Sequence, residues 1–258
     1  MIFRRGPKRP TEETDPPEAS EEELAAEEDA VGADRVGEDR ADEDRAGEDR
    51  AGEDGAEEET DLTALDELDW RRDGPWDITE VDLEQESELP RIDLGAMVVT
   101  GFPGAELRLQ IAEDTQQIQS ALLIRGDSAL ELGAYAAPRS GGRWPELREE
   151  IIEGATSAGG SASLAEGPFG VELRRLLPVT TPDGSQGYQP SRMWVVEGPR
   201  WLLRGIVYGQ AALEDGVEPP VADLLTAFRQ VVVRRGDQAM APGDLLPLQL
   251  PEDVAPAE

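Results

Sequence analysis

The stretch IQSALLIRGDSALELGAYA, residues 118–136, decides how this chain folds. Ile118 to Ile124 and Ser128 to Ala136 each have the length and composition of a strand, and Gly126-Asp127 between them supplies turn residues. Strands joined by so short a turn run antiparallel. The tripeptide Arg125-Gly126-Asp127 also matches an adhesion motif, but a hairpin turn accounts for it.

Reading outward, ELRLQI places Leu107, Leu109 and Ile111 on one face of an earlier strand. Downstream, GGRWPELREEIIEGATSAGG reads as a helix. Pro145 suits its first turn, Glu146, Glu149 and Glu150 complement the positive end of its dipole, and Gly159-Gly160 ends it. Trp144, Leu147, Ile151 and Ala155 form its apolar stripe. Strands resume with VELRRLLPVT, where Val171, Leu173, Arg175 and Leu177 share a register, followed by the turn TPDG at 181–184. SRMWVVE and WLLRGIVYGQ form a second hairpin across Gly198-Pro199. After Pro219-Pro220, the residues Val221, Leu224, Leu225 and Phe228 mark a second helix, which runs into the short apolar strand of QVVVRRG. LLPLQLPEDVAPAE is too proline-rich for a regular element, and its leucines are expected to pack an extended segment on the domain.

This order predicts an α+β fold: a two-layer sandwich of a mainly antiparallel sheet with two helices covering one face. Leu176, Trp194, Ile206 and Tyr208 fall on the other register. That face therefore needs cover from the 70–76 segment, the C-terminal segment or another subunit.

The chain has 57 acidic and 24 basic side chains, a formal net charge of -33. Residues 1–90 hold 34 acidic and 10 basic groups, and the remainder 23 and 14. The asymmetry sets the predicted boundaries: an acidic, disordered low-complexity tail at 1–73, a linker or docking segment at 74–90, the α+β domain at 91–237 and an extended tail at 238–258. The pentads GADRV, GEDRA, DEDRA, GEDRA and GEDGA, residues 32–56, repeat with a period of five, which matches neither helix nor strand. Each recurring glycine costs about 1 kcal/mol in a helix, and no apolar group offsets an ordering cost of about 1–2 kcal/mol per residue. Asp42, Asp44, Gly47 and Glu53 coincide with positions of a calcium-binding loop, but Ala46 stands where a ligand is needed.

So acidic a chain is not expected to bind nucleic acid or an anionic membrane. A protein partner, basic if it meets the tail, remains open. No run is long and apolar enough to span a bilayer, and MIFRRGPKRP is not followed by the apolar core of a secretory signal, so the expected location is cytoplasmic.

There is no Cys and no His, and Lys8 is the only lysine. Thiolate, imidazole and Schiff-base chemistry within the domain are thereby excluded. No nucleophile elbow or phosphate-binding P-loop motif occurs. No catalytic residue, metal site or cofactor is assigned. The candidates left are for interaction: Trp70 and Trp76, large apolar groups in a polar segment, and the arginines Arg174, Arg192 and Arg204, which with Arg175 and Arg200 lie on adjacent strands. The tryptophan segment either docks on the domain or binds a partner. The arginines either hold an anion or pair with acidic neighbours.

GPWD (74–77), RIDLGA (91–96), GDSALELGAYAAPR (126–139), EGPFGVEL (166–173), GPRWLLRG (198–205) and RGDQAMAPGDLLPLQLP (235–251) together resemble one uncharacterised actinobacterial family, DUF3710, over about residues 74–251. The resemblance implies an actinobacterial cytosolic protein and attaches no activity. In element order the domain is also similar to the Mog1/PsbP-type sandwich, a fold of binding and accessory proteins. Three functions compete: a non-catalytic protein-interaction or accessory module, a small carboxylate- and Mg-dependent or anion-binding enzyme, and an acidic tail that occupies a basic partner.

Overall fold

Hairpins build most of this molecule. The structure, a computed structural model, describes residues 62–85, 89–112, 115–181 and 184–251. The acidic pentads, the calcium-loop coincidence and the final seven residues lie outside them, as do Pro182 and Asp183 of the TPDG turn. The described strands are β1 (Trp76–Asp77), β2 (Arg91–Asp93), β3 (Met97–Thr100), β4 (Glu106–Ile111), β5 (Ile118–Arg125) and β6 (Ser128–Ala136). They continue with β7 (Ser161–Gly167), β8 (Gly170–Thr180), β9 (Gln186–Gly198), β10 (Trp201–Gly209) and β11 (Val232–Val233). The described α-helices are α1 (Trp144–Ser157), α2 (Gln210–Leu213) and α3 (Val221–Arg229).

Seven strands form a long sheet in the order β4-β5-β6-β10-β9-β8-β7, antiparallel throughout. The α+β class with mainly antiparallel pairing is thus as the sequence predicts. A second sheet, β1-β11-β3-β2, was not anticipated. The apolar strand after α3 joins this smaller sheet instead of closing the long one, and it pairs β1 in parallel.

Register divides the long sheet into two faces. On the first, Leu130, Leu132 and Ala134 of β6, Leu203 and Val207 of β10 and Trp194 of β9 meet α3, the small sheet and Leu246 and Leu248 of the C-terminal segment. Val221, Leu224 and Phe228 of α3 are almost wholly buried here, each contributing at most about 1.5–3 kcal/mol. Phe228 lies 4.8 Å from Phe169 and 5.8 Å from Trp194 between ring centres. Its ring rests on Gly205, where a Cβ would stand 2.6 Å from Phe228 Cε2.

On the second face, α1 sets Trp144, Leu147 and Ile151 over Leu173, Met193, Val195, Leu202 and Ile206. The two long helices therefore sit on opposite faces, which corrects the expectation that both cover one. The alternation explains it: β10 carries Leu203 and Val207 on one register and Leu202 and Ile206 on the other, so both faces demand cover. Helix α1 starts where Glu197 Oε1 of β9 accepts the backbone N–H groups of Arg143 and Trp144, each at 2.7 Å.

The folded unit also takes in residues the sequence assigns to the tails. Leu62–Glu67 forms a 3₁₀ helix, and Asp66 pairs both carboxylate oxygens with Arg148 of α1 at 2.7 Å. At the other end, Leu246 N–H donates to Ala134 O and Gln249 N–H to Leu94 O, which ties the C-terminal segment to both sheets.

Candidate functional site: the uncovered half of the long sheet

The predicted arginine cluster is divided between the two faces. Residues 172, 174, 192 and 194 point to the α3 side, and 175, 191, 204, 206 and 208 to the α1 side.

On the α3 side the network is closed. Glu172, only 1% exposed, accepts Arg192 Nε and Nη2 at 3.0 Å, Arg174 Nε at 3.0 Å and Trp194 Nε1 at 2.9 Å. Arg192 Nη1 donates to Glu214 O at 3.0 Å and Gly216 O at 2.8 Å. Arg192 is thus buried with its whole fork engaged inside the protein, and it carries the loop after α2. Arg174 reaches further out, to Asp215 Oδ1 at 2.5 Å. These two predicted interaction residues act as internal ties.

The tryptophans are also docked. Trp70 is half-buried, donates Nε1 to Leu65 O at 2.7 Å and lies against Gly170, where a Cβ would meet its indole nitrogen at 2.7 Å. Trp76 opens β1, its backbone N–H donating to Val231 O at 2.9 Å. Between them Arg71 grips Glu80 with two bonds of 2.5 and 2.6 Å and stacks over Trp201 at 5.7 Å. Asp77 accepts from Thr79 and from the buried Trp201 Nε1. Burial works against the Asp77 charge, but these donors and the nearby Arg71 outweigh it and hold the carboxyl below its ordinary value.

The α1 side is different. Helix α1 lies over the β7–β8 side of this face and reaches Leu202 and Ile206 of β10, and the part beyond it, built from β10, β6 and β5, carries Arg204, Tyr208, Glu131, Tyr135, Leu122 and Ile124, all half-buried. Tyr208 donates its hydroxyl to Glu131 Oε2 at 2.9 Å. Burial, then the Glu131 charge, pushes the Tyr208 phenol up to about 12. Arg204 Nη2 stands 3.9 Å from Glu131 Oε1, an ion pair too long for a hydrogen bond. Its guanidinium lies 5.0 Å from the Tyr135 ring centre. Arg175 donates Nε to Ser191 Oγ at 3.3 Å, and burial, together with repulsion from Arg204, pulls its pKa below the ordinary arginine value.

Of the residues predicted for interaction, only Arg204 falls in this open cluster. Arg175, grouped with Arg204 in the sequence, shares its face, whereas Tyr135 and Glu131 were not predicted as site residues, although their even spacing along β6 puts them on the Arg204 register. Among the described residues no three carboxylates gather as a metal site, and no helix is long and apolar enough to cross a membrane.

Comparison with known proteins gives a family without an activity. No curated protein matches the sequence. Among solved structures, the solution structure of cyanobacterial PsbP (CyanoP) from Synechocystis sp. PCC 6803 aligns with 59% of this chain and 96% of its own, at 11% identity and a TM-score of 0.34. The family model described as protein of unknown function (DUF3710) matches residues 74–257, from the GPWD motif through the C-terminal segment, and the chain belongs to that family.

Proposed function

We propose that this protein is a non-catalytic protein-interaction or accessory module, working in the cytoplasm, that meets its partner with the uncovered half of the long sheet. One observation carries the reading: β10, β6 and β5 set half-buried apolar Leu122 and Ile124 on the same face as the Tyr135–Arg204 stack. Tyrosine and arginine beside half-exposed apolar groups are the composition of interface centres. The buried carboxylate Glu172 is held by three neighbouring side chains.

The test is affinity capture from a native lysate with the full chain and with its Arg204→Glu variant as baits. The module reading expects a partner retained by the first and lost by the second. Capture of the same proteins by both, with dichroism showing both folded, contradicts it. A second reading concerns the excess of 24 negative charges within residues 1–90, which suits a basic partner. Loss of that partner on deletion of residues 1–60, with the Arg204→Glu variant still binding, favours this reading over the first.

A further inference from the structure

We propose that Arg204, Tyr135 and Arg175 form a binding site for a single oxyanion, the carboxylate of a partner side chain or a phosphate. The inference rests on the same uncovered sheet face and adds what that face takes.

Three features converge. Arg204 makes no hydrogen bond among the described residues: its Nε is buried without a partner, and its nearest carboxylate oxygen is 3.9 Å away. A guanidinium carries five N–H donors in a fixed fork, and leaving them unmade when partly desolvated is unfavourable. The Arg204 side chain is still 29% exposed, so a ligand can reach it from solvent.

Tyr135 supplies a second free donor. Its hydroxyl leans back over Gly133, where a Cβ would stand 3.0 Å from it, and Gly133 is the residue directly across from Arg204 in the β6–β10 pairing. The hydroxyl has no hydrogen-bond partner among the described residues. It therefore lies beside the guanidinium that stacks on its own ring.

Charge is the third feature. Two guanidiniums, Arg204 and, two strands along on the same face, Arg175, share that face with one carboxylate, Glu131, which already accepts the Tyr208 hydroxyl. The local balance is one positive charge in excess. An oxyanion placed against Arg204 meets the free donors of its fork and the Tyr135 hydroxyl together, and removes the repulsion between the arginines.

The full chain is titrated at physiological ionic strength with inorganic phosphate and, separately, with the peptide Ac-Leu-Glu-Leu-NH2. The signals followed by NMR are the Arg204 Nε–H, identified by its loss in Arg204→Gln, and the Tyr135 ring. The site predicts saturable shifts of both signals with at least one probe, weakened about tenfold or more in Tyr135→Phe, as expected for losing one bond to a charged ligand. Tighter binding of the peptide identifies a partner side chain as the source, and tighter binding of phosphate a free anion. Absence of shifts with both probes overturns the site, as do shifts that persist unchanged in Tyr135→Phe and, on the ring, in Arg204→Gln. If both probes fail while Arg204→Glu still abolishes partner capture, the oxyanion site falls and the interaction face stands.

Discussion

The buried indole of Trp201 donates to Asp77 Oδ2 at 2.8 Å, across 124 positions of sequence. The bond joins GPWD to GPRWLLRG, two stretches within the residues that the family model matches. Asp77 also caps the short 3₁₀ helix Ile78–Glu80, accepting Thr79 N–H while Glu80 accepts the N–H of Asp77 itself. Asp77→Ala therefore removes a cap, worth about 0.5–2 kcal/mol, and strands a buried donor at about 1–3 kcal/mol. Urea denaturation is expected to show a loss of about 2–4 kcal/mol. A change under about 0.5 kcal/mol, the range of ordinary surface substitutions, contradicts this role.

Glu172 is the keystone of the closed network on the α3 side. Glu172→Gln keeps its shape but leaves two arginines, one of them 1% exposed, without their carboxylate. The expected loss is about 3–5 kcal/mol, the magnitude for breaking one side of a buried ion pair. Chemical denaturation checks it, and the Arg174→Gln variant, at a more exposed position, is expected to lose much less.

Acid stability follows from three carboxyls held below their ordinary values. Glu80 is lowered first by its bond to Arg71, Asp93 first by its bond to Arg234, and Asp77 by its donors against burial. In each the folded value lies below the unfolded one, so the unfolded chain takes up protons first as pH falls. Their contribution is complete above the ordinary carboxyl range, about pH 4, and is lost as pH drops through the folded values. Urea midpoints are expected to be flat from neutral pH to about pH 5 and to fall below about pH 4. Arg71→Gln is expected to shrink that fall.

In alkaline titration the phenolate absorbance of Tyr208 is expected to appear at about 12. Glu131→Gln removes the adjacent charge and hydrogen-bonding anion, so the transition moves down toward the ordinary tyrosine value, with burial keeping it partly raised. An unchanged titration in that variant would show that Glu131 does not face Tyr208.

Gly205 is required by contact. A methyl group there meets Phe228 Cε2 at 2.6 Å and Cδ2 at 2.7 Å. Gly205→Ala is expected to destabilise by about 1–3 kcal/mol through overpacking, read as a lowered thermal midpoint.

Much of the fold was legible because period and punctuation agree. Leu107 and Leu109, the 126–127 turn, the stripe of α1 and the Val221–Phe228 spacing all stand where the pattern puts them. What escaped was β7, whose SASLAEG lacks β-branched and aromatic residues and pairs only at an edge. The small sheet escaped too, since two-residue β1 and β11 are too short to show a period and meet only through the tertiary fold. Sequence grouped Arg174, Arg192 and Arg204 by proximity of strands. The strands are neighbours as expected, but the sequence could not show how they register, and a difference of one residue sends a side chain to the opposite face. Trp70 and Trp76 were legible as apolar groups in a polar segment, and the structure places both against the domain.

The most direct test of the interaction face is a matched capture experiment with three full-length baits: the native chain, Leu122→Glu on the uncovered face, and Leu176→Glu on the opposite register, where Leu176 is 40% exposed. The account predicts that Leu122→Glu loses the partner held by the native chain while Leu176→Glu keeps it. Retention by Leu122→Glu, with loss by Leu176→Glu, would contradict it.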